Sequence, residues 1–426
     1  MLRHHHQGSG TLAVLLVMLL AATVMLLLLS RALVFEQRAA ALQWRATLAF
    51  EAAEAGRHWA LAGLNHDHGV DDSCSAATTG ARPSLRERLL EHDPAAAGWR
   101  PTGVQPACTL RADAAAGASL ACTCPAGGAA AAPALADAAA AGASSAVQPA
   151  AFSVALQAGP VAGSLLLRTR GCVGLRCDDG ADAQAVVQVG LALVRGAPGH
   201  TSAAVVAAGP VTLAGAVSIV NSHAAAGGLA VDSGGALSAE SGVRLLGPPG
   251  SSGAATPPVI AANPRWAGLT GDSFFRAHFG QARTRHASLP TLTRLACPCD
   301  AAAVDAALAR GARALLLDGD LDASSAGTTP WGSATRPVLL IVDGAARVSG
   351  ALQLTGLLHA RSLAWNHLDA ATTNQPGLLR GALLSEGAVV LNGAITVVHD
   401  PQVLTRAAHA AAVYAPVPGS WRDFGD

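Results

Sequence analysis

The chain reads as an α+β protein: a long N-terminal helix, an antiparallel-sheet head, then a mostly-β C-terminal domain, solenoid or sandwich, with a helical insertion. Three patterns lead there. Residues 11 to 29, TLAVLLVMLLAATVMLLLL, carry no charge, and proline-free helical patterning continues from them to about Asn65. Three partly alternating, β-branched segments follow between residues 151 and 194, as in an antiparallel sheet with one covered face. Beyond residue 203 the chain breaks into short aliphatic runs separated by glycine or asparagine.

The helix comes first. Roughly 54 residues rising about 1.5 Å each span close to 80 Å. Its first part is apolar all round and long enough for a hydrocarbon core, which needs about 20 residues. Its second part is amphipathic, with Arg31, Glu36, Arg38 and Arg45 beginning a polar face. A cleaved secretory signal would instead end in small residues before unrelated sequence. Arg3 and His4 to His6 precede the apolar run, favouring a cytoplasmic N-terminus and a single-pass protein with its bulk outside.

In the head, residues 66 to 200, a short helix is expected at 84 to 92. Strands are expected at 151 to 157, 163 to 169 and 183 to 194, packed on the amphipathic stalk. Residues 112 to 148, rich in alanine and glycine, read as a flexible loop. The C-terminal domain, 201 to 426, repeats short strands at 203 to 246 and again at 338 to 398. Such spacing suits coils of a β-solenoid, although a sandwich leaves a similar trace. Between the two halves, 258 to 335 reads as an insertion on one side. Its helices are expected at 272 to 279 and 300 to 310, the second capped by Asp300.

Eight cysteines, outside the cytoplasm, point to disulfides. Cys172 with Cys177 can close a short loop, Cys74 with Cys108 makes a second bridge, and Cys297 or Cys299 anchors the insertion. The C-x-C pairs lack zinc-knuckle spacing and have no histidine nearby.

Candidate chemistry is sparse. His66, His68, Asp71 and Asp72 are metal-competent donors, but they read as a polar loop, and no metal or other cofactor is expected. Asp318, Asp320 and Asp322 resemble the start of a calcium loop without its distal glutamate and read as a turn between strands. Acidic residues in the short-strand regions stand apart at Asp232, Glu240, Asp343, Glu386 and Asp400, so no enzyme is expected. The 28 arginines balance 28 acidic residues, and no global field points to nucleic acid.

The segments Gly8-Ser-Gly-Thr-Leu-Ala-Val-Leu-Leu, Phe35-Glu-Gln-Arg and Arg45-Ala-Thr-Leu-Ala-Phe-Glu-Ala-Ala-Glu-Ala-Gly56 resemble the PilX-type minor pilins of type IV pili. The ending Val417-Pro-Gly-Ser-Trp-Arg-Asp-Phe424 resembles the terminus of large PilX-like proteins of some Gram-negative bacteria. The resemblance implies a leader at residues 1 to 8, cleaved after Gly8 by prepilin peptidase, with N-methylation of Ser9. It implies an inner-membrane protein with a periplasmic C-terminal domain that can enter the extracellular pilus. Its partners would be major and minor pilins and pilus assembly proteins. The apolar helix, including Leu12, Ala13, Leu16, Leu19 and Ala22, would pack against other subunits, aided by small residues at 21 to 23.

The fifth mature position, a glutamate in major pilins, is Ala13 here. Lacking that carboxylate suits a tip or initiation subunit. Two other readings stand beside assembly. One is a type II secretion pseudopilin, opposed by the extra domain and the GSWRDF ending. The other is a membrane-anchored or pilus-tip adhesin that binds carbohydrate.

Overall fold

The computed structural model describes residues 9–77, 82–93, 98–113, 117–125, 150–161, 163–173, 183–248, 258–324, 329–368 and 375–424. Helix α1 runs unbroken over Ser9–Leu64. Its lower part lies on a six-stranded antiparallel sheet ordered Val413–Pro416, Ala183–Val194, Leu165–Val173, Ala150–Ala158, Ala107–Asp113, Gly117–Thr123. The three strands expected from alternation are adjacent and antiparallel in that sheet. Close approach sets the packing: a Cβ on Gly171 would run into the backbone of Ala49 and Ala53 on α1. Only glycine on the strand, facing alanines on the helix, lets the two backbones come so near.

Residues 84 to 92 are only partly helical. Ser84 and Glu87 form a reciprocal capping box for α2, Leu85–Leu89, and the chain then turns into the strand Leu90–Asp93. The expected loop 112–148 is also corrected at its start. Gly117–Thr123 is a strand paired along its length with Ala107–Asp113, and the stretch from 126 to 148 lies outside the described residues.

That pairing rewires the disulfides. Cys108 and Cys122 sit directly opposite in register with Cα atoms 4.0 Å apart, and they are bonded to each other. Cys74 therefore pairs with Cys124, not with Cys108. The Cys124 amide donates to the Asp72 carbonyl at 2.7 Å and so brings the strand end onto the 71–76 loop. Cys172 is disulfide-bonded, and Cys177 lies outside the described residues. Cys297 and Cys299 bond to each other, so neither tethers the insertion to another element.

The C-terminal domain pairs its strands in parallel throughout, as a solenoid requires and an antiparallel sandwich does not. Three ladders form its sides. The longest stacks Thr293–Ala296, Ala314–Asp318, the start of Val338–Ser349, the middle of Gln353–His367, the end of Gly377–Ser385, Ala203–Ala207, Leu229–Ser233 and Val259–Ile260. Sequence order and stacking order differ. The chain enters mid-stack at 203, winds to one end at 260, crosses to the far end at 293, and winds back until 383–385 meets 205–207.

Side chains stack in columns along this ladder. Leu315, Leu340, Leu358, Leu383, Val205, Val231 and Val259 occupy equivalent positions in successive coils, and all but the partly buried Val259 are fully enclosed in the inner core. The alternate residues point outward yet are buried too. The crossover carries α3, Gly271–Phe279, and α4, Arg283–His286, and it covers Val206, Leu316, Leu339, Ile341, Leu357 and Leu384 with Trp266, Phe274, Phe275 and Phe279. Burial on both faces is why runs such as Leu339-Leu-Ile-Val342 lack alternation. Gly356 and Gly381, with φ of +152° and +137°, turn the chain at successive corners, where a Cβ would strike a carbonyl of the neighbouring coil.

The insertion is thus shorter than 258–335. Residues 293–323 are coils, and α5, Ala301–Ala309, caps one end by placing Ala301, Val304 and Ala307 in the inner core. Asp300 caps α5 as expected, accepting from the Ala303 amide at 2.9 Å. At the other boundary, α6, Pro401–Ala410, returns the chain to the head, where Val413–Pro416 pairs antiparallel with Ala183–Val194. The coil domain is an insert between two neighbouring strands of the head sheet.

Candidate functional site

Helix α1 changes character along its length. Every side chain from Leu12 to Trp44 is exposed, including Leu12, Ala13, Leu16, Leu19 and Ala22, whereas Ala49, Ala53 and Ala60 are completely enclosed. The helix is long and apolar enough to span a membrane. Ser9 is its first residue; Gly8 lies outside the described residues.

Two sequence segments far apart in the chain meet on the stalk. Trp421 donates its indole N–H to Glu54 Oε1 at 2.8 Å and stands edge-on to Phe50, ring centroids 6.3 Å apart. The C-terminal WRDF stretch therefore docks on the AFEAAEA stretch of α1, and Arg422 bridges to Gln188 of the sheet. Burial pushes the Glu54 carboxyl up, but its bonds to Arg57 and Trp421 outweigh this and hold it low.

Arg86 locks stalk, head and coil domain together. It is 5 % exposed. Its guanidinium donates to the carbonyls of Leu64 at 2.5 Å, His409 at 2.6 Å and Ala412 at 2.7 Å. These carbonyls lie at the ends of α1 and α6, where helices leave acceptors unpaired and favour a cation. Burial lowers the Arg86 pKa to about 10. Beside it His409 stacks on Trp99 at 3.6 Å and pairs with the Tyr414 hydroxyl at 2.9 Å.

The metal-competent loop is engaged otherwise. Asp71 accepts from Ser73 and Ser75, and Asp72 pairs with Arg88. Asp318, Asp320 and Asp322 form the expected turn, bound to Arg294, the Ala345 amide and the Ser324 amide respectively. The expectation that the acids stand apart fails at one place. Arg283 of α4 bridges Glu386 and Asp343, while His359 Nε2 lies 3.2 Å from Glu386 Oε1 under Phe275 and Phe279. Burial holds His359 neutral; the same burial pushes Glu386 up, but His359 and Arg283 together keep it ionised. Residues 283, 343 and 386 are too distant in sequence to be read as a group.

A cleft of about 1190 Å³ opens where the head-to-coil connector 194–202, the coil loop 223–229, the crossover and the start of α6 converge. Arg195, Arg265 and Arg285 line it, with His200, His223 and His278, and no aspartate or glutamate is among its lining residues. Arg265 lies over the Trp266 ring at 4.6 Å, and His278 stacks on the same indole at 4.9 Å. Burial takes His278 down to about 4, against the bond of its Nδ1 to the Phe274 carbonyl. That bond requires the proton on Nδ1, which leaves Nε2 as an acceptor. None of these residues carries a sequence signal, because they come from four separate segments.

No protein-family model, curated protein or solved structure matches this chain.

Proposed function

We propose that this chain is a minor, pilin-like structural subunit that promotes type IV pilus assembly, anchored in the inner membrane with its head and coil domain on the periplasmic side. The observation that carries this reading is the free half of α1. An anchor alone needs about 20 apolar residues. Here exposed Leu33, Val34, Phe35, Leu42 and Trp44 extend the apolar surface well beyond the uncharged run. That excess suits packing against the stalks of other subunits, while the lower half is sealed on an antiparallel sheet. Docking of the C-terminal stretch on Phe50 and Glu54 supports the same reading, since the two segments that resemble PilX-type proteins form one structural unit. With Ala13 in place of a glutamate, the subunit is suited to the fibre tip, where it has no subunit ahead to pair with.

The test is mass analysis of the N-terminal peptide of the native protein, from membranes and from sheared surface fibres. N-methylated Ser9 is the expected terminus, in both fractions if the subunit enters the fibre. An intact Met1 in both would remove the pilin reading.

A further inference from the structure

We infer that the cleft beside Trp266 is a binding site for an acidic oligosaccharide, one bearing carboxylate or sulfate groups. Three guanidinium groups, Arg195, Arg265 and Arg285, share the cleft, and none forms an ion pair with a carboxylate among the described residues. Arg283, Arg294, Arg347, Arg361 and Arg380 of this domain pair with acids. Others, such as Arg244 and Arg310, have no carboxylate partner among the described residues either, and what sets the three cleft arginines apart is that they share one concave surface without an acid in its lining. Unpaired cations converging on a concave surface call for an anionic ligand, and guanidinium suits planar carboxylate or sulfate. Two further donors wait in the lining: Trp266 Nε1 and Gln281 Nε2 are buried and lack any hydrogen-bond partner. Buried polar groups are normally satisfied, so such orphans mark a missing partner.

The ligand class follows from what the walls lack. The volume, about 1190 Å³, exceeds what a single inorganic anion fills and sits above the usual range of about 300–1,000 Å³ for small-molecule pockets. Peptides that bind by strand addition need a free sheet edge. The strands bordering the cleft, Ala183–Val194 and Leu229–Ser233, are paired on both sides. Single-stranded nucleic acid needs open aromatic faces, but Trp266 is 3 % exposed, with Arg265 over its ring and His278 stacked on it. A hydroxyl-rich, charged chain uses what remains: guanidinium groups, imidazoles, the Gln281 amide and the indole N–H. The site is separate from the stalk, so a failure to bind sugar leaves the assembly role untouched.

Full-length protein in detergent is titrated calorimetrically with trigalacturonate, a sulfated disaccharide, neutral maltotriose, inorganic sulfate and a tri-glutamate peptide. Saturable binding of an acidic sugar that weakens with salt is expected, with no binding of maltotriose. Arg265→Ala and Arg285→Ala are each expected to weaken it about tenfold or more, the loss of a charge-assisted contact. Both residues are exposed, so thermal melts should stay at the wild-type value; Gln281→Leu gives a second variant that leaves the charge intact. Inorganic sulfate or tri-glutamate binding as tightly as the sugars would overturn the proposal, as would acidic-sugar affinity indifferent to all three substitutions or no acidic-sugar binding at all.

Discussion

The head sheet and the coil domain reach stability by opposite routes. The head is antiparallel, covers one face with α1, and is braced by Cys74–Cys124 and Cys108–Cys122. The coil is parallel, buries both faces of its longest ladder, and holds one described disulfide, Cys297–Cys299, which closes only a two-residue step. Its aliphatic columns supply in packing what the head gains from cross-links. The difference teaches that a small sheet with one covered face needs covalent support, whereas a stack that repeats its own core does not.

The sharpest way to break the pairing of the two regions is at Arg86. Arg86→Met would strip the Leu64 and Ala412 carbonyls of their charged donor, leave the His409 carbonyl only its backbone amide partners, and cost about 5 kcal/mol, several charge-assisted bonds together. Chemical denaturation is then expected to split into two transitions, head and coil; a single unshifted transition would show that Arg86 does not couple them. Next in size is the coil core. Leu358→Ala, mid-column between Leu340 and Leu383, is expected to cost about 3–4 kcal/mol, read as a lower midpoint of the coil transition alone.

Cross-link removal tests the head. Cys124→Ser with Cys74→Ser opens a bridge of sequence separation 50 and is expected to cost about 3 kcal/mol, lowering the head transition and sparing the coil. Reduction with dithiothreitol should act in the same direction. A coil transition that moves as much as the head's would refute the division.

Acid provides a milder test with the opposite target. Burial, resisted by backbone bonds at His278 and His286, lowers His278, His286 and His399 to about 4 from 6.5. All three belong to the coil and its crossover. The unfolded chain takes up these protons below pH 6.5 while the folded chain refuses them until about 4. Stability is therefore expected to be full above pH 6.5, to fall as pH drops from 6.5 toward 4, and to lose nothing more from these groups below that. Melting curves should show the coil softening across this window, with a shallower slope in His278→Gln.

The sequence alone determined the stalk, the three central head strands, the short-strand texture of the C-terminal domain and the Asp300 cap. Each is written in local periodicity or in a neighbouring residue, and local physics suffices to read it. Only tertiary structure decided the rest. Solenoid rather than sandwich was decided only by the parallel pairing. The Cys108–Cys122 and Cys74–Cys124 pairs depend on the register of a strand hidden in an alanine-rich stretch. Residues 293–323 read as part of an insertion because the coil is stacked out of sequence order, and only the register between 383–385 and 205–207 reveals that order. The returning strand Val413–Pro416 belongs to a sheet whose nearest partner ends at Val194. The cleft arginines, the Arg86 junction and the Arg283 network unite side chains far apart in sequence. Such groupings follow from how the backbone closes in space, since loop closure over long separations leaves no periodic trace in the residues that it brings together.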